Sequence, residues 1–469
     1  MTVRSRVPAP DWEHLVGCVA GLGISGVAAA ETLLQRGARV TVVDARTGER
    51  ETVRAALLEA LGARVLLGAA AATELPAGTG LVVTSPGWRP DAPLLVAAAA
   101  AGVPVWGEVE LAWRLRSRPA APWLAVTGTN GKTTTVRMLA AMLASAGHRT
   151  VAAGNVGMPL LEAVQARPAY DVLAVELSSF QLHWSASLEC SAAAVLNVAP
   201  DHLDWHGSFE AYAATKAKIY RGVGTAVFNA GDPVSRQLAA GAPRRVGVTL
   251  GPPPVGYLGV TEGVLLDNAF GPTVELAAAA EVRPAGPHNV ANALAAAALA
   301  RTYGVPPAAV RGGLVAYAPD PHRNAAVGTV GGVTYVDDSK ATNPHAAAAS
   351  LSAYPSVVWV AGGLAKGASF DALVAGVAGR LRAAVLLGAD RGEIAAALRR
   401  HAPDLPVVEV AATDTGAMDT AVCAAAELAN CGDTVLLAPA AASMDMFTDY
   451  RERGSAFAAA VGRLAGADR

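Results

Sequence analysis

Chemistry concentrates first in one stretch, Gly128-Thr129-Asn130-Gly131-Lys132-Thr133-Thr134. An apolar run at 123–126 precedes it and an amphipathic segment at 136–146 follows, so the spacing predicts a turn between a strand and a helix. Small residues let successive N–H groups point inward, the helix N-terminus adds partial positive charge, and Lys132 adds a mobile ammonium. That is a phosphate cradle, with the Thr133 hydroxyl available to magnesium. The eight-residue pattern G-x-x-x-x-G-K-[ST] would need glycine at 126, where Val126 stands, so the loop is a variant with a shortened front. For G-K-T-T alone, a helix cap and turn is the competing reading. The preceding strand and the full string favour phosphate.

Two more apolar runs, 172–175 and 193–196, end in polar strings: Glu176-Leu177-Ser178-Ser179-Phe180-Gln181 and Asn197-Val198-Ala199-Pro200-Asp201-His202-Leu203-Asp204. At strand ends facing the phosphate loop, Glu176 suits a magnesium ion that bridges ATP phosphates. His202 is a candidate ligand for a second metal, set against the reading of a structural histidine. Near the start, residues 15–44 read strand, Gly21-Leu22-Gly23-Ile24-Ser25-Gly26, helix, strand, with Asp44 closing the second strand. This G-x-G-x-x-G unit can seat a nucleotide or diphosphate on a helix N-terminus with Asp44 near a ribose or sugar hydroxyl, and it does not specify NAD. Ser85-Pro86-Gly87 follows another apolar run and is either a bland turn or a second ligand edge.

Lysine usage adds a separate signal. Five of the 37 basic residues are lysine (132, 216, 218, 340 and 366) and the other 32 are arginine. A chain so biased keeps lysine where guanidinium cannot serve: as a compact charge, an amine of depressed pKa, or a target of covalent modification. Lys218 fits chance survival, whereas the other four fall inside motifs.

Length and composition bound the rest. With 469 residues, two or three domains are expected, and an apolar content of 52% supplies their cores. A net charge of −2 leaves no basic excess for a nucleic-acid backbone. The cysteines at 18, 190, 423 and 431 have neither the spacing of a zinc site nor the density of a disulfide scaffold, and read as thiols in a reducing compartment. The charge-free run at 15–30, after Arg4 and Arg6, is short for a membrane span, and its glycines favour a folded start over a secretory signal, so no membrane insertion is expected.

The elements that must position these residues repeat strand and helix along the chain, an α/β pattern. Linkers at 115–122 and 318–321 divide it into 1–117, 118–318 and 319–469. The first is a Rossmann-like domain; the second is a P-loop-type ATPase domain with a mostly parallel sheet and a small antiparallel insert between 247 and 283. The third is Rossmann-like, with five to six strands by spacing. Between the insert and the second linker, G-P-H-N-V-A-N-A opens an alanine-rich helix in which Asn292 points to a contact rather than a cap. In the third domain the polar strand ends D-D-S-K-A-T-N (337–343), G-G-L-A-K (362–366) and P-A-A-A-S (439–443) predict one ligand-facing edge.

Taken together, the chain resembles the Mur ligase family along all three domains. G-T-N-G-K-T-T, E-L-S-S-F-Q, N-V-A-P-D-H-L-D, H-N-V-A-N (288–292) and H-R (322–323) are similar to the ATPase signature shared by Mur ligases and folylpolyglutamate synthetases. The third-domain motifs and P-A-A-A-S-M-D-M-F (439–447) look like those of members that add D-glutamate, and no D-N-P-R-like motif of diamino-acid-adding members is present.

The resemblance implies a cytoplasmic, monomeric, ATP-dependent ligase that activates the carboxylate of UDP-N-acetylmuramoyl-L-alanine as an acyl phosphate and couples it to D-glutamate in peptidoglycan precursor synthesis. It implies that Gly128 to Thr134, Asn292, Arg323 and Asp338 bind ATP, with Lys132 on the β- and γ-phosphates. Two magnesium ions would be held by Thr133, Glu176, His202 and Lys216, the last carbamoylated by CO2. Ile24, Ser25, Asp44, Arg46, Ser85 and Gly87 resemble the uracil and diphosphate site, although Ala45 stands where a hydroxyl residue is expected. Asn155 and Ser178 would hold the muramoyl-alanine end. Thr342, Lys366, Ser443, Met444 and Tyr450 would receive D-glutamate, with Lys340 nearby.

Three other readings are defined by the same residues. A sister or folylpolyglutamate-type ligase would differ only in its amino acid. An NAD-dependent Rossmann dehydrogenase would use the N-terminal turn and leave the phosphate loop idle, and a nucleotide-gated binding module would bind ATP without amino-acid-dependent phosphate release.

Overall fold

A computed structural model describes residues 11–117, 119–412 and 416–467. Arg4, Arg6 and Arg118 lie outside the described residues. The chain forms three parallel-based sheets. The first holds β1 (Val16–Ala20), β2 (Arg39–Asp44), β3 (Arg64–Leu67), β4 (Leu81–Thr84) and β5 (Val105–Gly107) in the order β3-β2-β1-β4-β5. Strand order reverses between β1 and β4, the switch point where open α/β sheets bind ligands. The glycine turn after β1 and Ser85 after β4 both lie there, with the Ser85 hydroxyl 3.5 Å from the Gly21 carbonyl.

The second sheet contains β6 (Trp123–Thr127), β7 (Thr150–Gly154), β8 (Val172–Glu176), β9 (Ala192–Val195), β10 (Thr225–Asn229), β11 (Arg245–Val248), β12 (Tyr257–Thr261), β13 (Val264–Asp267) and β14 (Val274–Ala278). Its order is β14-β13-β12-β11-β10-β9-β6-β8-β7. β6 is therefore central, flanked by β8 and β9, so the phosphate loop, Glu176 and Asn197 emerge side by side. The antiparallel insert is not a separate sheet. β12 and β13 do pair antiparallel, but β12 also pairs in parallel with β11. Joining the sheet gives the β11 edge a partner for its main-chain groups, which a detached hairpin would leave open.

The third sheet runs β15 (Ala325–Val330), β16 (Val333–Asp337), β20 (Thr434–Leu437), β17 (Val357–Gly362), β18 (Leu381–Leu387) and β19 (Val407–Glu409) in that spatial order, with β15 antiparallel at the edge. Both faces are covered: Trp359, Leu386 and Leu436 lie in one apolar cluster, and Val358, Val385 and Val435 in the other. That is the burial expected of parallel strands written as continuous apolar runs.

By contacts, the chain divides into two compact units. One runs to Ala277 and resumes at Asn292–Val315; the other is Ala278–Ala291 with the chain from Ala316 onward. The N-terminal and central domains belong to the first unit because one apolar core runs through both, joining Val19, Leu33 and Leu111 to Trp123, Leu160 and Leu182. Among the described residues no helix is long and apolar enough to cross a membrane.

Candidate active site

The phosphate loop turns into its helix at Gly131, and the helix Lys132–Ser145 begins four residues before the apolar periodicity starts. Its first turn is Lys-Thr-Thr-Thr, polar residues that carry no apolar signal and whose N–H groups lie at the end of the helix where its own carbonyls do not reach them. Gly131 has φ of +83°, and a Cβ there would sit 2.3 Å from the Asn292 Oδ1. Only glycine satisfies both the left-handed turn and this approach. The loop is held in shape by Asn197, whose Oδ1 accepts from the Asn130 N–H at 2.9 Å and whose amide donates to the Asn130 carbonyl at 3.1 Å. Thr129 braces it further: its N–H donates to the Asn197 carbonyl, and its hydroxyl lies 3.1 Å from that of Tyr212.

Glu176, at the end of β8, links two predicted groups. The Thr133 hydroxyl donates to one carboxylate oxygen at 2.8 Å and the Asn155 amide to the other at 2.7 Å. Ser178 and Gln181 form a capping box that starts the next helix, Ser179–His183. Thr133, Asn155, Glu176 and Ser178 thus lie on one edge of the central sheet, as the sequence predicts.

Lys132 donates to the carbonyls of Gly128 and Thr129 at 2.9 and 2.8 Å. Lys216, from the helix Phe209–Ala217, donates to the same Gly128 carbonyl at 2.8 Å, is 1% exposed, and lies 4.5 Å from the centre of the Tyr212 ring. Burial, followed by the charge of Lys132, pushes the Lys216 amine well below its ordinary range, against the weaker pull of Asp201 and Glu176. It is an amine prepared to lose its proton. His202 has φ of +53° and is also held neutral, by burial first and then by Lys132 and Lys216, with Asp201 opposing. Its ring packs against Phe180, 4.7 Å between centroids.

Sequence reasoning passed over a neighbour, His206. Its Nε2 is 3.0 Å from the Ser179 hydroxyl, and burial with His183 and His202 nearby brings its pKa to about 4. Its adjacency to His202 in D-H-L-D-W-H was the available signal. His206, with Arg89, Asp91, His183, Trp205 and Thr215, lines a cavity of about 350 Å³ between the N-terminal and central domains.

In the N-terminal domain Asp44 has little capacity left for a sugar hydroxyl. Its two oxygens accept from the Leu22 N–H, the Arg46 N–H and the Arg46 guanidinium (Nε and Nη2), filling about four acceptor positions. Burial alone would raise this carboxyl, but Arg46 and the two N–H groups hold it below its usual range. Its work is to shape the glycine turn and aim Arg46, whose side chain is 62% exposed. Ile24 and Gly87 are exposed and Ser25 and Ser85 half-buried around that turn.

The second unit assembles the third-domain loops. Ala440 N–H donates to the Ala341 carbonyl, and Leu364 and Ala442 exchange two backbone bonds, so 337–343, 362–366 and 439–443 share one edge as predicted. Thr342 is half-buried there, Lys366 and Met444 exposed, Ser443 buried, and Lys340 lies over the Tyr450 ring at 4.1 Å. Arg323 pairs with Asp320 at 3.7 Å, and desolvation raises the Asp338 carboxyl to about 6.

The residue that ties these loops was missed. Arg453, 2% exposed in the helix Tyr450–Ala467, donates from Nε to the Ser339 hydroxyl and from its two terminal nitrogens to the carbonyls of Gly362, Ala441 and Ser339. The signal was present: Arg453 shares its helical face with Phe457 and Val461, four and eight residues on, both buried.

A phosphate loop backed by a strand-end carboxylate and a buried lysine, with a diphosphate-type turn before it in the chain and a third α/β domain after it, defines a nucleotide-dependent ligase of the three-domain kind. Family models match all three parts: "Mur ligase MurD-like, N-terminal domain" at 16–107, "Mur ligase middle domain" at 126–300, and "Mur ligase, glutamate ligase domain" at 322–441. The chain belongs to the Mur ligase family. It is 61% identical over 462 residues to the UDP-N-acetylmuramoylalanine--D-glutamate ligase of Streptomyces avermitilis, covering 96% of this chain and 98% of that one. It is 62% identical over 462 residues to the enzyme of the same name from Thermobifida fusca, with the same coverage. Its fold matches the crystal structure of UDP-N-acetylmuramate-alanine ligase from Thermotoga maritima with a TM-score of 0.57 at 20% identity, covering 97% and 99% of the two chains.

Proposed function

We propose that this protein adds D-glutamate to UDP-N-acetylmuramoyl-L-alanine, with ATP converted to ADP and phosphate, in peptidoglycan precursor synthesis. The observation that carries the reading is the chain Thr133–Glu176–Asn155, which connects the phosphate loop through a carboxylate to the residue assigned to the substrate's alanyl end. Residues 1–117 take the UDP portion through Arg46, Ile24, Ser25, Ser85 and Gly87. Residues 118–318 take ATP and the alanyl carboxylate, and 319–469 take D-glutamate through Thr342, Lys366, Ser443, Met444 and Tyr450. We further read it as a cytoplasmic monomer.

In the first step an alanyl carboxylate oxygen attacks the γ-phosphorus, the bond to the β-phosphate oxygen breaks, and ADP leaves. In the second, the amine of D-glutamate attacks the acyl carbon, loses a proton and expels phosphate. Both steps depend on positioning and charge neutralisation. Lys132, pinned on its own loop by two carbonyl contacts, is released to a stronger acceptor when phosphate oxygens enter. Asn155 and Ser178 orient the carboxylate.

The hard oxygen donors Thr133 and Glu176 fit magnesium, which when bound neutralises phosphate charge. His202, neutral through burial, and Lys216 fit a second ion if Lys216 is carbamoylated. That modification needs an amine that can give up its proton, which burial favours at Lys216: its nitrogen attacks CO2, releases a proton and becomes an anionic ligand.

The test is phosphate release with UDP-muramoyl-alanine against a panel of D- and L-amino acids. Stimulation by D-glutamate above the others is expected; no stimulation would overturn the reading, and tight NADH binding without ATP turnover would replace it with a dehydrogenase.

A further inference from the structure

We propose that Glu108 and Glu110 are positioning residues that set the span between the edge taking the UDP end of the substrate and the edge taking its carboxylate end. The proposal rests on the functional reading above and concerns the first unit alone. The helix Glu108–Leu115 starts directly after β5, the last strand of the N-terminal sheet, yet its first residues are bonded to the central domain. Gly107 N–H donates to the Trp184 carbonyl at 3.0 Å. Leu161 N–H donates to Glu108 Oε1 at 2.7 Å. Ala186 and Ser187 N–H donate to Glu110 Oε2 at 2.8 and 3.0 Å, and the Ser187 hydroxyl to Oε1 at 2.6 Å.

Both carboxylates are buried, at 2% and 0% exposure. Burying two carboxyl groups at a domain boundary is costly unless their oxygens are filled, and well-packed apolar residues would bind the surfaces as strongly. What apolar packing lacks is direction. A carboxylate accepting main-chain N–H groups has a set distance and angle, so it fixes register where a greasy surface would slide. Arg114, at 2.7 Å from Glu110 Oε1 on the same helix, neutralises one of the pair.

The tethered segments are those that carry the chemistry. Leu161 lies in the helix Leu160–Gln165, six residues past Asn155. Residues 184–187 follow the helix Ser179–His183 that Ser178 caps, just after Glu176. Trp184 also packs into the N-terminal core cluster of Leu94 and Ala98. These bonds therefore tie β5 and the helix after it to segments that lie a few residues along the chain from Asn155 and Ser178. A substrate joined covalently across both edges gains affinity only when their separation matches its length, because its second end binds at an effective concentration set by that geometry. A ligand that touches one edge is indifferent to it.

Titrating the full chain with UDP-muramoyl-alanine, with UDP and with ATP tests this. Glu110→Ala is expected to weaken UDP-muramoyl-alanine by about tenfold or more while UDP and ATP stay within about twofold. Glu110→Gln, whose carbonyl oxygen keeps the two amide bonds, should restore the full substrate to within about threefold of the unmodified chain. If Glu110→Ala does not fold, Glu108→Ala carries the same comparison. Parallel loss of UDP and full substrate, or no loss of either, would overturn the proposal. Failure of the unmodified chain to bind UDP-muramoyl-alanine would overturn the functional reading as well.

Discussion

Replacing Arg453 by methionine isolates what one buried guanidinium does for three loops. The methionine approximates its aliphatic stem but cannot donate to the Ser339 hydroxyl or to the carbonyls of Gly362, Ala441 and Ser339, which Arg453 reaches at 2.9 to 3.3 Å. A buried acceptor left without its donor costs about 1–3 kcal/mol, so three carbonyls set a ceiling near 9 kcal/mol. Part of that returns because the desolvated charge is also removed. Its cost shows in the guanidinium pKa, which burial pulls down to about 10. A net loss of about 3–5 kcal/mol results, and it falls on loop register, since the apolar clusters around Phe457 and Trp359 are untouched. Spent on holding the D-glutamate loops, about 3 kcal/mol is a roughly 100-fold rise in the KM for D-glutamate. The assay is phosphate release at saturating ATP and UDP-muramoyl-alanine with D-glutamate varied, beside amide exchange at 339–343, 362–366 and 440–443. Arg453→Lys, able to reach one carbonyl at a time, should fall between. A folded methionine variant with an unchanged KM for D-glutamate, or one in which the KM for ATP and UDP-muramoyl-alanine rises in parallel, would refute the reasoning.

Three further outcomes are expected. Gly131→Ala places a Cβ against Asn292 at φ of +83° and should weaken ATP at least about tenfold by calorimetry, with UDP-substrate binding unchanged. Lys216→Ala should lose most activity and regain part of it with added acetate or formate; full activity without rescue would remove the carbamate from the mechanism. Glu108→Gln should change the pH dependence of stability. Burial raises the Glu108 carboxyl from 4.5 to about 7, so its contribution is complete below 4.5 and lost as pH rises through about 7. Across that window the unmodified chain should lose about 3 kcal/mol relative to the variant in paired denaturant titrations, and an equal slope in both would refute it.

Central strands were legible because burial on both faces writes them as apolar runs: β6, β8 and β9 lie within a residue of where the runs at 123–126, 172–175 and 193–196 place them. The edge strands β3 (RVLL), β7 (TVAAG) and β15 (AAVGTV) were not, since runs of four to six residues, two of them carrying alanine and glycine, do not separate strand from helix or turn. The phosphate helix was placed four residues late because its first turn, Lys-Thr-Thr-Thr, carries no apolar signal. Residues whose type is itself the signal are brought together within each unit: Asn155 and Thr133 on Glu176 in the first, and the loops 337–343, 362–366 and 439–443 along one edge in the second. Arg453, Glu108 and Glu110 were not legible, because most of their partners are main-chain N–H groups and carbonyls, which every residue has and no sequence distinguishes.

The same distinction explains why the chain keeps lysine where it does. Arg453 must hold carbonyls in three directions at once, which a planar fork does and a point charge does not, and it keeps its proton although fully buried. Lys132 and Lys216 share the Gly128 carbonyl, a place where two permanent cations would repel. One of them has to be able to become neutral. Burial lowers the Lys216 amine well below its ordinary range, which favours Lys132 as the lasting charge; in the proposed reading Lys132 meets phosphate and Lys216 is the amine that reacts. Guanidinium at 216 would stay charged beside Lys132 and would displace the loop that both contact. Arginine at 132 would fill the loop's mouth with a rigid group. An arginine-rich composition therefore assigns its cations by physics: guanidinium where shape is fixed, amine where charge has to move or disappear.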